Sequence, residues 1–407
     1  MPAATVEADA IDSGAAWRRL AAAIAIGTVG GVGMWSVVVV LPAVQAEFGA
    51  DRAAAALPYT LTMIGFAAGG LLMGRLADRF GIARPLVLGT VCLALGYGLS
   101  AASASLWQFA LVHGVLVGAL GSAVTFGPLM ADVSLWFRRR RGLAVALCAS
   151  GNYLAGTFWP PVVERMVHDH GWRATQAGIG LFCLAAMLPL VLLLRGRAPR
   201  QPSGSVAGQR AAIALSPGAF QGLLIVAGVA CCVAMSMPQV HIVAYCADLG
   251  YGPARGAQML SLMLGFGIVS RVASGFIADR IGGLATLLLG SVMQGVALAL
   301  YLAFDGLALL YVISALFGLF QGGIVPAYAI IVREYLPAGE AGARVGAVLM
   351  ATLAGMALGG WLTGAIFDAT GSYRVAFLNG LAWNAINVAI VLWLMGRRQP
   401  RAALAAA

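Results

Sequence analysis

The sequence predicts an all-α membrane protein in which twelve transmembrane helices form two pseudo-symmetric bundles of six. Three observations lead to this fold class. Of the 407 residues, 61% are hydrophobic and only 10% are charged, which is too little polar surface for a soluble domain of this length. Apolar runs long enough to cross a membrane recur along the whole chain. A short loop motif appears twice, once in each half of the sequence.

The spans follow from length, because a transmembrane helix needs about 20 predominantly apolar residues. Runs of this kind, bounded by Gly, Pro or charged residues, predict spans near 17–46, 53–79, 85–104, 106–137, 141–169, 174–196, 217–248, 253–279, 284–304, 306–334, 341–368 and 374–397. The polar segment 197–216 is rich in Gly, Ser and Pro and is the predicted cytoplasmic linker. The sequence therefore predicts bundles at 17–196 and 217–398, with cytoplasmic tails at 1–16 and 399–407.

The distribution of arginine predicts the orientation of the chain. All 25 basic residues are arginine, and they cluster in short connections between spans. With both termini in the cytoplasm, nineteen lie on the inner side, Arg271 lies within a span, and five lie outside: Arg52, Arg165, Arg173, Arg255 and Arg374. This asymmetry follows the positive-inside rule. It also explains the net charge of +10 without nucleic-acid binding.

The loop motif reveals an internal repeat. GRLADRFG at 74–81 recurs as GFIADRIG at 275–282, at an offset of 201 residues. The matching positions are Gly74, Asp78, Arg79 and Gly81 in the first copy and Gly275, Asp279, Arg280 and Gly282 in the second. Arg173 and Arg374, which open the sixth and twelfth spans, share this offset. Two halves in the same orientation, joined by a cytoplasmic linker, form a parallel repeat.

With this repeated motif the chain resembles transporters of the major facilitator superfamily over essentially its whole length. Three segments resemble the monocarboxylate porter family, to which oxalate–formate exchangers are closely related. They are WFRRRRGLAVALCASGNYLAGTFWPP (136–161) followed by GWR (171–173), the pair Arg271 and Gly275, and MPQVHIVAYCADLG (237–250), which is similar to bacterial members. The resemblance implies the major facilitator fold, alternating access, a lactate- or pyruvate-like substrate and the bacterial inner (plasma) membrane.

The chain departs from the pattern of that family and its close relatives in three respects. Animal members carry a lysine in the first span and an aspartate one turn before the arginine of the eighth span. This chain contains no lysine, and Gly267 occupies the position of the aspartate, so the animal coupling scheme does not transfer. Oxalate–formate exchangers use a second cation in the eleventh span, where this chain has only Arg344, near one end. The sequence therefore speaks against recognition of a dicarboxylate by two cations.

Arg271 is the strongest candidate for substrate binding. An arginine in the middle of a membrane costs roughly 2.5–3.5 kcal/mol on insertion scales, so it is functional by default. Its planar guanidinium matches a carboxylate through two parallel hydrogen bonds. The residue 201 positions earlier is Gly70, so the arginine is not a requirement of both halves. The alternative is an internal ion pair, for which the spans offer only Asp132 at a suitable depth.

His241 is the candidate for proton coupling. Its counterpart in the first half is Val40, and an imidazole titrates near neutral pH. A histidine hydrogen-bonded to a neighbouring carbonyl explains the residue equally well.

Further polar residues fall into two groups. Five lie at mid-span depth, where lining a substrate path and hydrogen bonding between helices explain them equally well. They are Thr125, Asn152, Tyr153, Gln321 and Tyr328. Four lie in the repeated loops, where charges at helix ends are expected to stabilise one closed state of the transport cycle. They are Asp78, Arg79, Asp279 and Arg280.

The sequence thus predicts a secondary active transporter of a small organic monocarboxylate, coupled to protons and functional as a monomer. An organic-anion exchanger and an exporter of amphipathic compounds are the alternatives. The sequence has no metal-ligand cluster, nucleophile–base pair or phosphate-binding loop, so we expect neither an enzyme nor a metal or cofactor. The expected partners are the substrate, a proton and the lipid bilayer.

Overall fold

The computed structural model describes residues 11–196, 213, 215–337 and 340–397. Eleven helices in this part of the chain are long and apolar enough to cross a membrane. One of them, Arg141–Leu192, has 52 residues and contains Gly171 in a non-helical conformation with φ 79°. This helix therefore comprises two consecutive spans, and the described residues contain the twelve spans that the sequence predicts.

We number the spans α1 to α12 in chain order. The first half contains α1 (Gly14–Phe48), α2 (Arg52–Phe80), α3 (Ala83–Ala101), α4 (Leu106–Leu135), α5 (141–170) and α6 (172–192). The second half contains α7 (Pro217–Asp248), α8 (Pro253–Ile281), α9 (Gly283–Ala303), α10 (Leu307–Tyr335), α11 (Ala341–Thr370) and α12 (Tyr373–Gly396). Most of the predicted linker and N-terminal tail, and the whole predicted C-terminal tail, lie outside the described residues.

The chain divides into two compact units. The first consists of residues 1–203 with 243–261, and the second consists of residues 204–242 with 262–407. Residues 243–261 are the end of α7 and the beginning of α8, and they group with α1 to α6. The six-plus-six division at 17–196 and 217–398 therefore stays a prediction.

The surface of the described residues is that of a protein in a bilayer. Phe158, Leu181 and Phe276 are each more than half exposed, and many other large apolar side chains are exposed as well. Apolar surface of this extent requires a nonpolar environment. The protein is therefore an integral membrane protein.

Three spans are interrupted near their middle. In α1, Gly31 separates the helices Gly14–Gly30 and Val32–Phe48. In α4 the helix changes to a π-helix over His113–Ser122 and to a 3₁₀ turn over Ala123–Thr125. In α10 the helix ends at Gln321 and resumes at Ile324. Such discontinuous helices are common where membrane transporters bind their substrates.

The break in α10 follows from its sequence, QGGIVP. Pro326 has no N–H, so it cannot donate the helical hydrogen bond to the carbonyl of Gly322, four residues earlier. Glycine is also required for packing there. A Cβ on Gly322 would collide with the carbonyl of Gly267 in α8, and a Cβ on Gly323 would collide with Ser274. The glycine pair thus brings α8 and α10 into direct backbone contact.

The contacts of the two halves reproduce the offset of 201 residues. Arg173 Nη1 donates to the carbonyl of Ala101 at 2.7 Å, and Arg374 Nη2 donates to the carbonyl of Leu302 at 3.5 Å. Both members of the first pair are 201 residues before their equivalents. The repeat read from the sequence is therefore a repeat of the structure.

A buried ion pair that the sequence analysis did not foresee joins α1 to α4. Arg19 Nε and Nη2 donate to Asp132 Oδ2 and Oδ1 at 2.9 Å and 3.0 Å, and the two side chains are only 4% and 9% exposed. The guanidinium also lies 4.5 Å from the ring centroid of Trp136. Asp132, the one acid considered as a partner for Arg271, is thus bound through both oxygens by Arg19.

This ion pair yields a prediction about stability. Asp132→Leu should lower the free energy of unfolding by about 3–5 kcal/mol, because it leaves a buried cation without its carboxylate. The double change Arg19→Leu with Asp132→Leu should recover most of the loss, since it removes both charges. Unfolding of the purified protein in one detergent measures both effects. The control is Arg18→Leu, which changes an exposed neighbouring arginine. Equal stability of the Asp132→Leu and Arg18→Leu variants would contradict the prediction.

Candidate functional site

Arg271 lies on α8 beside the break in α10. Its Nε donates to the carbonyl of Gly322 at 3.5 Å, and the side chain is half-buried. This carbonyl is the one that Pro326 deprives of a helical donor. The break in α10 therefore leaves a carbonyl oxygen free to accept a hydrogen bond from the guanidinium of Arg271 and so to orient it.

A pair of buried amides adjoins this contact. Gln239 Nε2, on α7, donates to Gln321 Oε1 at 2.9 Å, and Gln321 directly precedes Gly322. Both side chains are buried, and Gln239 Oε1 and Gln321 Nε2 have no hydrogen-bond partner among the described residues. An unpaired buried polar atom is costly in a folded protein. The amide pair thus keeps one unpaired donor and one unpaired acceptor, and one of its members is the sequence neighbour of Gly322.

Tyr328 occupies a different environment from Arg271. Its hydroxyl donates to Asn387 Oδ1 on α12 at 3.0 Å, and Asn387 Nδ2 donates to Ser291 Oγ on α9 at 2.7 Å. The tyrosine is fully buried. The structure therefore joins Tyr328 to a network that links three helices, and its predicted contact with substrate stays a prediction.

His241 is buried between α7, α11 and α12. Its Nε2 lies 2.8 Å from the carbonyl of Gly360, and its Nδ1 lies 3.4 Å from the hydroxyl of Tyr373. The carbonyl can only accept, so Nε2 carries a proton, while Nδ1 can accept from the tyrosine. This is the hydrogen-bonded arrangement that the sequence analysis gave as the alternative to proton coupling. The coupling role stays a prediction.

In the first unit, two of the predicted site residues lie beside the break in α1, Thr125 at Gly30 and Asn152 at Gly31. Thr125 Oγ1 donates to the carbonyl of Ser122 at 2.7 Å, and its methyl group packs against Gly30. Asn152 accepts a hydrogen bond from Trp35 Nε1 through its backbone carbonyl at 3.2 Å. Asn152 Oδ1 is buried and has no partner in the described part of the chain. Tyr153, the next residue, is also buried.

The loop-motif residues lie at the ends of α2 and α8. Asp78, Arg79, Asp279 and Arg280 are all exposed. Gly81 and Gly282 end the two helices with φ 78° and 81°, a backbone conformation that favours glycine. In the second half, Glu334 accepts from the N–H of Gly283 at 3.2 Å and 3.0 Å, at the start of α9. The first half has Val133 at the equivalent position.

Sequence reasoning missed Gln239 and Glu334. The available signal for Gln239 was an amide within a predicted span, two residues before His241. Glu334 carried a weaker signal, because an acid near the end of a span is common and only the folded chain shows which helix end it contacts.

The chain matches known transporters in sequence and in structure. The family model described as Major Facilitator Superfamily matches residues 23–302 and 275–407. Monocarboxylate transporter 13 of Rattus norvegicus is 31% identical over 304 residues, which cover 72% of this chain and 69% of that protein. Agnestins efflux protein AgnL12 of Paecilomyces divaricatus is 25% identical over 330 residues, which cover 79% and 73%.

A solved structure supports the fold. The crystal structure of a bacterial homolog of the human lysosomal transporter Spinster, in an inward-facing and unoccupied conformation, matches with a TM-score of 0.68 at 15% identity. The match covers 94% of this chain and 95% of that one. Together with the family model, the twelve helices and the repeated loop motif, these similarities show that the chain belongs to the Major Facilitator Superfamily of membrane transporters.

Proposed function

We propose that the chain is a secondary active transporter of a small lactate- or pyruvate-like monocarboxylate, moved together with a proton by alternating access. The observation that carries this proposal is Arg271, a permanent cation in the middle of a span, oriented by the carbonyl at the break in α10. A guanidinium binds a carboxylate through parallel charge-assisted hydrogen bonds. The similarity to a protein named monocarboxylate transporter 13 supports the same substrate class.

The neighbouring amides complete the proposed site. Gln321 Nε2 can donate to a bound anion, and Gln239 Oε1 can accept from a hydroxyl group of the substrate. Both atoms belong to side chains fixed by their mutual hydrogen bond, so they are pre-organised. The predictions of Thr125, Asn152, Tyr153 and Tyr328 as substrate contacts, made from the sequence, stay part of this proposal.

The proton has two proposed routes. Arg271 cannot release a proton at physiological pH, since arginine stays charged in proteins. His241 is one carrier, because proton uptake at Nδ1 would replace the hydrogen bond from Tyr373. The carboxylate of the substrate is the other carrier, since a bound acid can cross in its protonated form without any titrating side chain.

The loop motifs support alternating access. Asp78, Arg79, Asp279 and Arg280 are proposed to stabilise one closed state through charge contacts that break in the other. We further propose that both termini are cytoplasmic, that the protein resides in a bacterial inner membrane and that it works as a monomer. The arginine distribution supports the orientation.

Export of amphipathic compounds is the second candidate function. It is favoured by the similarity to a fungal relative named as an efflux protein. Exchange of organic anions remains a third mode for the same site.

A ligand screen tests the proposed function directly. The purified protein is heated with monocarboxylates and with dicarboxylates of matched size, and the unfolding temperature is recorded. A ligand at 100 times its Kd stabilises the folded state by about 2.7 kcal/mol. We expect stabilisation by small monocarboxylates. Stabilisation only by large amphipathic compounds would instead support the export function.

Arg271→Lys should weaken substrate binding roughly tenfold to a hundredfold, because lysine keeps the charge but loses the fork that supplies about 1.5–3 kcal/mol. Binding to purified protein and uptake into proteoliposomes are the measurements. Arg255→Lys is the matched control, since Arg255 is exposed and contacts Gln258. Near-normal affinity in the Arg271→Lys variant would remove this residue from the site.

Asp78→Asn and Asp279→Asn should shift the balance between the two access states and leave substrate affinity within about twofold, because these exposed carboxylates act at helix ends. Labelling of single cysteines introduced at each mouth measures the balance. All six native cysteines are buried, which favours a low background. Asp305→Asn is the control for loss of an exposed carboxylate. An unchanged labelling ratio together with weaker binding would mean that these aspartates act on the substrate instead.

His241→Gln should abolish accumulation driven by a pH gradient but preserve counterflow exchange, if His241 carries the proton. Glutamine can keep a hydrogen bond to Gly360 but cannot titrate. Both modes are measured in the same vesicles, with His168→Gln as a control at an exposed histidine. Normal gradient-driven uptake in the His241→Gln variant would assign the proton to the substrate route.

A further inference from the structure

Three polar side chains in the first unit are fully buried and have side-chain atoms without a hydrogen-bond partner in the described part of the chain. They are Ser100 on α3, His113 at the start of the π-helix in α4, and Gln176 on α6, and each has 0% exposure. Five of their atoms have no hydrogen-bond partner among the described residues: Ser100 Oγ, His113 Nδ1 and Nε2, and Gln176 Oε1 and Nε2. None of these residues belongs to the proposed transport site.

The register of the helices brings Ser100 and His113 together. A Cβ on Gly96 would lie 2.8 Å from Val117, which aligns α3 against α4. One residue further along α3, the ring of Tyr97 lies 5.9 Å from the ring of His113. Ser100 is the next position on the same face of α3, so it faces His113.

The alignment of α6 against α3 places Gln176 at the level of Ser100 and His113. Arg173 donates to the carbonyl of Ala101, and a Cβ on Gly180 would lie 2.9 Å from Tyr97. Gln176 is midway between Arg173 and Gly180 on α6, and it therefore lies opposite Ser100. By this register, three buried polar side chains from three helices lie at the same level of the unit.

The equivalent positions of the second unit are in direct contact with one another. The residues 201 positions later are Tyr301, Ser314 and Phe377. The Tyr301 hydroxyl lies 2.8 Å from Ser314 Oγ, and its ring stacks on Phe377 with centroids 5.2 Å apart and an interplanar angle of 9°. The same three positions are thus one contact cluster, closed by two aromatic rings.

The first unit lacks both rings of that cluster. Serine replaces the tyrosine, and its short side chain cannot span the distance that the phenol spans. Glutamine replaces the phenylalanine and adds a donor and an acceptor. The trio in the first unit is consequently more polar than its counterpart, with hydrogen-bonding capacity that its own members do not meet.

We propose that Ser100, His113 and Gln176 form a binding site for buried water, holding at least one molecule between α3, α4 and α6. Buried polar groups in proteins are paired with protein or with ordered water, and a buried water needs two to four polar partners. The trio supplies both donors and acceptors, as water requires. All three residues can be uncharged, so the site favours a neutral molecule over an ion.

Radiolytic footprinting tests the site in the full-length protein. Hydroxyl radicals formed from a trapped water oxidise the side chains that touch it, even where bulk solvent does not reach. We expect oxidation of His113 and Tyr97 severalfold above that of Tyr301 and Phe377, which are also buried and serve as the internal control. Oxygen-18 from labelled water should appear in the products after a delay set by exchange of the trapped molecule. Equal protection, or equal oxidation, of the two clusters would overturn the proposal.

Variants copied from the second unit supply a further test. The triple change Ser100→Tyr, His113→Ser and Gln176→Phe should reduce the oxidation of Tyr97 to the level of Tyr301. Gln176→Leu alone removes two of the five unpartnered atoms, and it should reduce the oxidation of Tyr97 in part if the triple variant fails to fold. Oxidation of Tyr97 that is unchanged in a folded variant would mean that the radicals come from elsewhere, and the water site would be rejected.

Discussion

Inside a bilayer every backbone N–H and C=O must find a partner within the protein, and this constraint explains the central feature of the second unit. Pro326 removes one helical donor from α10 and leaves the carbonyl of Gly322 without its usual partner. Arg271 supplies a donor from α8. The backbone break and the half-buried cation therefore fit one another: the break offers an acceptor, and the guanidinium supplies a donor to it.

Glycine makes that arrangement possible. The carbonyl of Gly267 approaches Gly322 more closely than any side chain would allow, so α8 and α10 touch through their backbones. Small residues at helix contacts have this role throughout membrane proteins, because lipid supplies little hydrophobic drive for helix association. In animal monocarboxylate porters an aspartate stands at the position of Gly267. Here that position is a glycine whose carbonyl lies against Gly322.

Features that depend only on distances along the chain could be predicted from the sequence. The twelve spans follow from apolar length, the repeat follows from a constant offset, and Arg271 stands out because it is a charge within a span. Features that depend on how each helix is turned toward its neighbours could not be predicted from the sequence. The bidentate contact of Arg19 with Asp132, the amide pair Gln239–Gln321 and the network of Tyr328 with Asn387 each require knowing which faces meet. Helix-to-helix contacts of this kind leave no periodic trace in the sequence.

The repeat separates what the fold needs from what function adds. Contacts present in both halves, such as those of Arg173 and Arg374 with backbone carbonyls, belong to the shared architecture. Polar residues present in one half alone need another explanation. In the second unit these are Arg271, Gln239, Gln321 and His241, and their equivalents in the first half are Gly70, Val38, Leu120 and Val40. A glycine or an aliphatic residue fills each of those positions. The four polar groups are therefore not requirements of the architecture that both halves share, and a polar group in a membrane carries a cost that function must justify.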